Sequence, residues 1–335
     1  MTARALVPVV LLALAAVFAA DTTRAADISP AIVYDLGGKF DKSFNEGVYD
    51  GARRFKSDTG VDFREFEIQN DSQREQAMRN FARRGSNPIL AVGFSQAAAL
   101  EKVAGEFPGT KFAIIDMVVD KPNVASIVFK EHEGSYLVGL LAAMATRTGK
   151  IGFVGGMDIP LIRKFACGYV QGARATNPDI EIFQNMTGTT GAAWSDPVKG
   201  GELATSQFDR GADVVYHAAG GTGLGVLQAA ADAGKLGIGV DSNQNHLHPG
   251  SVLTSMLKRV DIAAYTTFMS AMDETWSPGV QALGLAEDGV GWALDENNLL
   301  LITDDMKNAV DRAREDIIAG RVVVHDYMSD STCPD

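Results

Sequence analysis

The chain has 335 residues, with 30 lysines and arginines against 42 aspartates and glutamates and a formal net charge of −12. Such an acidic balance disfavours nucleic acid and anionic membranes as partners. A hydrophobic content of 46% supports a well-buried core, and the length suits two α/β lobes at ~100–200 residues per domain.

Arg4 gives a short positive start, residues 5–20 are apolar apart from Pro8, and a polar stretch ends in Thr23-Arg24-Ala25-Ala26-Asp27. This layout predicts a secretory signal peptide over residues 1–25, cleaved near Ala25. The apolar run is shorter than the ~20 residues of a membrane span. No cysteine follows it, so the mature chain is expected to be exported and soluble, with no lipid anchor. Cleavage removes Arg4, Arg24 and Asp21, leaving 28 basic and 41 acidic side chains and a net charge of −13. Cys167 and Cys333 either pair in the oxidising compartment, pinning the tail to the body, or stay as two thiols; sequence alone does not bring their Cα atoms together.

Apolar runs and amphipathic segments then alternate. Residues 31–35 predict a strand and 43–59 a helix, with Ser43 as N-cap and Glu46 three residues on, a capping box. A strand over 61–68, a helix over 73–84, a strand over 88–93, a helix over 97–107, strands over 111–116 and 124–129 and a buried helix over 134–146 follow. The pattern restarts with strand 150–155, helix 163–177, strand 180–185, helix 197–210, strand 213–217, helix 223–233 and strand 238–241. Strands separated by helices of this length imply parallel sheets with right-handed crossovers. The expected division is a first lobe of 27–147 with about 252–275, a second of 148–250 with about 276–325, and a tail of 326–335. Strand 252–258 and helix 262–273 are read as returning to the first lobe. Segments 280–285 and 289–294 read as two strands around an Asp-Gly turn, and 304–319 as a helix stopped by Gly320.

Ligands of open parallel sheets bind beyond the carboxyl ends of the strands. Asp35, the run Asp41-Lys42-Ser43-Phe44-Asn45, Gly93-Phe94-Ser95-Gln96, Asp116, Trp194, Asp196, Asp241 and Lys258 all fall there. So does Gly220-Gly221-Thr222-Gly223-Leu224-Gly225, at a strand-to-helix turn where backbone N–H groups meet a ligand. With Asp241 twenty residues past Gly221, that loop also fits a dinucleotide fingerprint. A dehydrogenase, however, carries its fingerprint after the first strand more often than this late.

The run Asp41-Lys42-Ser43-Phe44-Asn45 resembles the D-x-S-F-N signature of the basic membrane protein family, the substrate-binding components of ABC importers, several of which bind purine nucleosides. The resemblance continues in order through Gly211-Ala212-Asp213-Val214-Val215, Ala219-Gly220-Gly221-Thr222-Gly223, Gly239-Val240-Asp241 and Thr254-Ser255-Met256-Leu257-Lys258. It implies the two-lobed type I periplasmic binding protein fold, α/β with each lobe a parallel sheet flanked by helices. It also implies a monomer in the periplasm that hands its ligand to permease subunits in the inner membrane, without cofactor, metal or nucleic acid. The implied site clamps a purine between Phe44 and an aromatic of the second lobe, here Trp194 where many members have Phe or Tyr. Asp35 and Asp116 match the base-reading positions, completed by Asn45, and Asp241 and Lys258 the ribose positions, with Lys258 balancing Asp241. Gly220 and Gly221 are the backbone contacts.

Against these roles stand plainer ones: Phe44 as an anchor of its own helix, Asp116 as a helix cap. An exported enzyme acting on a nucleoside or dinucleotide needs a nucleophile, metal cluster or aimed base, and the chain offers no Gly-x-Ser-x-Gly elbow or Cys–His pair at a cleft position. A free purine or a larger flat ligand such as riboflavin stays open, given the size of Trp194. His246 and His248 lack a third ligand and read as solvated. Arg163 and Lys164 read as rim charges, and Glu131, His132 and Glu133 mark a crossover between lobes.

Overall fold

The computed structural model describes residues 1–2 and 28–334; the leader expected over 1–25 lies outside them apart from its first two residues. In chain order the elements are β1 (Ala31–Tyr34), α1 (Phe44–Thr59), β2 (Arg64–Glu67), α2 (Gln73–Arg83), β3 (Ile89–Ala91), α3 (Ala97–Glu106), β4 (Phe112–Ile115), β5 (Val124–Phe129), α4 (Glu131–Ala145), β6 (Lys150–Met157), α5 (Pro160–Thr176), β7 (Glu181–Gly188), α6 (Pro197–Asp209), β8 (Val214–Ala218), α7 (Gly223–Asp232), β9 (Leu236–Asp241), β10 (Val252–Lys258), α8 (Val260–Met272), β11 (Gly279–Leu283), β12 (Val290–Trp292) and α9 (Asp304–Ile318).

The strands form two six-stranded sheets, in the orders β11-β5-β4-β3-β1-β2 and β12-β10-β9-β8-β6-β7. Every pairing is parallel except β10 with β12. Helices cover both faces, so the central strands β1, β3, β4 and β8 are buried along their whole length. That is why they read as continuous apolar runs rather than alternating ones. Val48, Ala52 and Phe55 form the buried stripe of α1, and Phe55 meets Phe268 of α8 edge to face at 5.4 Å. The fold is the two-lobed one expected.

Three expectations about lobe membership are corrected. Strand β10 pairs with β9 and stays in the second sheet; only α8, which packs on α1, returns to the first lobe. Strand β11 pairs with β5 in the first sheet, whereas β12 pairs with β10 in the second, so residues 279–292 are not a hairpin. Helix α4 packs along α5 and against β10 and β12, and so sits on the second lobe. A strand's own residues set its burial, but the open sheet edge decides where it docks.

The chain thus crosses between lobes after β5, after β10 and between β11 and β12, and the crossings are laced together. Lys130 N–H donates to Leu283 O at 2.9 Å, Arg259 N–H to Gly289 O at 2.8 Å, and Leu285 N–H to Glu133 Oε2 at 2.8 Å. Beyond α9 the tail lies on α5. Gln171 exchanges side-chain hydrogen bonds with the backbone of His325 at 2.8 and 3.0 Å, and Cys167 is bridged to Cys333 across 166 residues. The paired alternative for the two cysteines is therefore the one realised. Cross-linking a loop this long restricts the unfolded chain strongly. Cys333→Ser should lower stability by about 2–4 kcal/mol, read by thermal unfolding; an unchanged midpoint would show that the tail contributes nothing.

Candidate ligand cleft

The carboxyl ends of both sheets face one cleft between the lobes, enclosing about 580 Å³ of empty space including its mouth. Asp35, Phe44, Asn45 and Asp116 line it from the first lobe, and Trp194, Gly220, Asp241 and Lys258 from the second. Gly221 does not line it; it lies behind, against Trp194 O and near the Asp41 side chain of the opposite lobe.

Asp116, just past β4, and Asp241, the last residue of β9, are both in left-handed backbone, with φ of 73° and 63°. Few residues other than Gly, Asn and Asp adopt that region, and such placements cluster at functional sites. Here the turn aims each carboxylate into the cleft. Gly156 is required for a different reason: a Cβ there would lie 2.2 Å from Trp194 Cζ3, so the indole rests on bare backbone of β6.

Lys258 is the electrostatic centre. Its ammonium, 2% exposed, lies 2.7 Å from Asp116 and 3.0 Å from Glu131. The rings of Phe44, Phe129 and Phe165 surround it at 5.1, 5.2 and 5.5 Å. Burial alone would discharge Lys258, but Asp116, Glu131 and Asp241 together raise its pKa. Glu131 also pairs with buried Lys164 at 3.0 Å; burial works against its charge, and the two ammoniums outweigh burial and hold the carboxyl below its usual range. Burial pushes Asp116 up to about 6 against the pull of Lys258, which leaves it ionised at neutral pH. Its Oδ2 takes the Lys258 hydrogen bond, and buried Oδ1 also lies 2.7 Å from the same ammonium.

Several expected partnerships differ. The close partners of Lys258 are Asp116 and Glu131 rather than Asp241, because Ser43 Oγ donates to Asp241 Oδ2 instead. Ser43 occupies the N-cap position of α1 without capping it. Asp41 does so, accepting the N–H groups of Ser43, Asn45 and Glu46 at 2.9–3.1 Å, and Glu46 turns to Lys42, so the capping box is not formed. Asn45 holds the loop after β1: Oδ1 accepts from Asp35 N–H, and Nδ2 donates to Gly38 O at 3.1 Å. Its amide is occupied before any ligand arrives. Asp35 is steadied by Ser95 Oγ at 2.7 Å and Arg74 Nη2 at 3.2 Å; burial raises its pKa against these contacts. Lys164 is a buried hinge charge rather than a rim one, whereas Arg163 is a surface partner of Asp158.

Sequence reasoning did not reach Arg74 or Phe165, nor Glu131 as the ion partner of Lys258. Arg74 and Phe165 lie inside helical patterns where a core or surface role is the default, and Glu131 was read only as part of the crossover between lobes. The glycine run has a packing logic of its own. A Cβ on Gly223 would meet the His217 ring at 1.9 Å, and one on Gly225 would meet Pro197 O at 1.7 Å. Those two glycines let α7 approach β8 and α6, leaving Gly220 alone to face the cleft.

His217 is fully buried beneath α7, and its Nε2 lies 2.9 Å from Gln244 Oε1. Burial lowers its pKa to about 4. The unfolded chain therefore binds more protons between pH 6.5 and 4, and stability falls with pH across that window. The shift is worth about 3 kcal/mol by pH 4. His217→Asn should flatten the acid limb of the stability–pH profile by about that amount; parallel profiles for variant and parent would refute it.

The model of the ABC transporter substrate-binding protein PnrA-like family (Bmp) matches residues 28–327. Among curated relatives, the "ABC transporter nucleoside-binding protein BmpA" of Lactococcus lactis is 32% identical over 321 residues, covering 89% of this chain and 89% of that one. The "Uncharacterized lipoprotein PYRAB04520" of Pyrococcus abyssi is 36% identical over 290 residues, covering 82% and 71%. A solved ABC transporter solute-binding protein from Aeropyrum pernix K1 superposes with a TM-score of 0.81 at 30% identity, covering 89% of this chain and 94% of its own. With its two-sheet architecture and interlobe cleft, the chain belongs to the PnrA-like (Bmp) family of ABC transporter substrate-binding proteins.

Proposed function

We propose that the cleft binds a purine nucleoside, adenosine, guanosine or inosine, and that the exported receptor closes on it and delivers it to permease subunits in the inner membrane. The observation that carries this reading is the lining of the cleft. Phe44 and Trp194 come from opposite lobes, and acceptor-only carboxylates and one ammonium surround them. A flat ring gains about 1–3 kcal/mol from each base–aromatic contact. The carboxylates of Asp116 and Asp35 suit the N–H groups of a base edge, and Asp241, Lys258 and Gly220 suit the ribose. A nucleotide is disfavoured: the lining carries Asp35, Asp41, Asp116 and Asp241 against Lys258 alone, and Lys258 is already neutralised by two carboxylates. The nucleoside-binding name of the Lactococcus lactis relative supports the same ligand class. On this reading the receptor is periplasmic and monomeric. The roles assigned to the charged residues are those of binding, not turnover.

A thermal-shift panel of nucleosides, free bases, nucleotides, riboflavin and sugars tests the assignment. Adenosine, guanosine or inosine should raise the melting temperature by several degrees, while ribose and nucleotides should not. Stabilisation by sugars alone, or hydrolysis of a nucleoside by the purified protein, would overturn it.

A further inference from the structure

A second set of contacts joins the lobes without lining the cleft. Lys42 and Ser43 lie at the start of α1 in the first lobe; Ser242 and Gln244 follow β9 in the second. None of the four lines the cavity. Gln244 Nε2 donates to Lys42 O at 2.9 Å, and Ser242 Oγ donates to Ser43 O at 2.8 Å.

The direction of the Gln244 bond is fixed by its surroundings. Val240 N–H can only donate, and it meets one end of the Gln244 amide at 3.0 Å, so that end is Oε1. The other end must be the NH₂, and the Lys42 carbonyl it faces can only accept. His217 meets the same Oε1 at 2.9 Å and must therefore donate through Nε2–H, as the neutral tautomer its burial imposes. Gln244 and His217 are both fully buried, so the amide has no room to turn away. The second lobe thus presents a pre-aimed donor to the first.

We propose that Gln244, oriented by His217 and assisted by Ser242, is a positioning latch that tilts the open–closed balance of the lobes toward closure and thereby sets affinity without touching the ligand. The apparent dissociation constant of a protein whose binding-competent state is partly populated scales inversely with that population. Losing one neutral hydrogen bond lowers the closed-to-open ratio about 2- to 10-fold. Every ligand of the cleft should then weaken by one common factor, the ratio of the closed fractions of wild type and variant.

Small-angle X-ray scattering of the ligand-free protein tests the latch whether or not the nucleoside reading is right. Wild type should show a measurable closed fraction. Gln244→Ala and Ser242→Ala should each shift the ensemble toward open forms, with the larger shift for Gln244→Ala. Ser242→Ala removes a single, half-buried donor and serves as the variant least disturbing to the fold. The affinity arm rests on the nucleoside reading: calorimetry with inosine, guanosine and adenosine should show the same fold-loss for each as the fall in closed fraction. Wild type that scatters as an open form, or variants whose scattering matches it, would defeat the latch. If the variants open as expected but no nucleoside binds any form, the latch stands and the nucleoside assignment falls.

Discussion

Lys258→Met should both destabilise the fold and abolish nucleoside binding. The wild-type ammonium neutralises Asp116 and Glu131, which are buried beside it. Removing one partner of a buried ion pair strands the other, at about 3–5 kcal/mol. For a chain of this size that lowers the melting temperature by about 5–8 °C. Glu131 keeps Lys164 as a partner, so Asp116 bears most of the loss and takes up a proton near neutral pH. Binding suffers twice, through the missing donor and the altered acceptor, and should fall at least about 100-fold, the effect of 2.7 kcal/mol. Adding Asp116→Asn should restore part of the stability, because the uncompensated charge goes, but none of the affinity; such non-additivity is the mark of residues in contact. A melting temperature within one degree of wild type for Lys258→Met would mean the pair is not buried as described.

Replacing both aromatic walls should have the next largest effect. Phe44→Ala and Trp194→Ala each remove one stacking surface, at about 1–3 kcal/mol, and the pair together should weaken binding about thirtyfold or more. The two side chains lie on opposite lobes, so each variant also loses part of the reason to close. Both are only partly buried against the core, and the unliganded fold should tolerate their loss better than that of Lys258. Gly156→Leu reaches the same end by another route, since the new side chain would occupy the space of the indole. Calorimetry on the single and double variants measures the effect; undiminished affinity in the double variant would remove the stacking role.

The alternation of buried strands and amphipathic helices was legible residue by residue, because burial on both faces and 3.6-residue periodicity are local properties. Sheet membership was not. The residues of β10 and β11 suit either sheet, and the choice depends on which edge is open when the chain arrives. Side-chain commitments were the second blind spot. Ser43 reads as a cap, but its hydroxyl turns to Asp241, 198 positions away, because Asp41 already saturates the helix end with three N–H bonds. Strand ends located eleven cleft-lining residues from sequence because the ends of parallel strands converge in space. Glu131, Arg74 and Phe165 escaped that filter because they reach the site from helices.

The lacing of the crossovers has a consequence for biogenesis. The first sheet begins with β1 near the amino end, yet its edge strand β11 comes from residues 279–283, so nearly the whole polypeptide must leave the ribosome before that sheet is complete. Contacts so distant in sequence form slowly. Neither half should survive as an autonomous fragment if the gene is cut between the lobes.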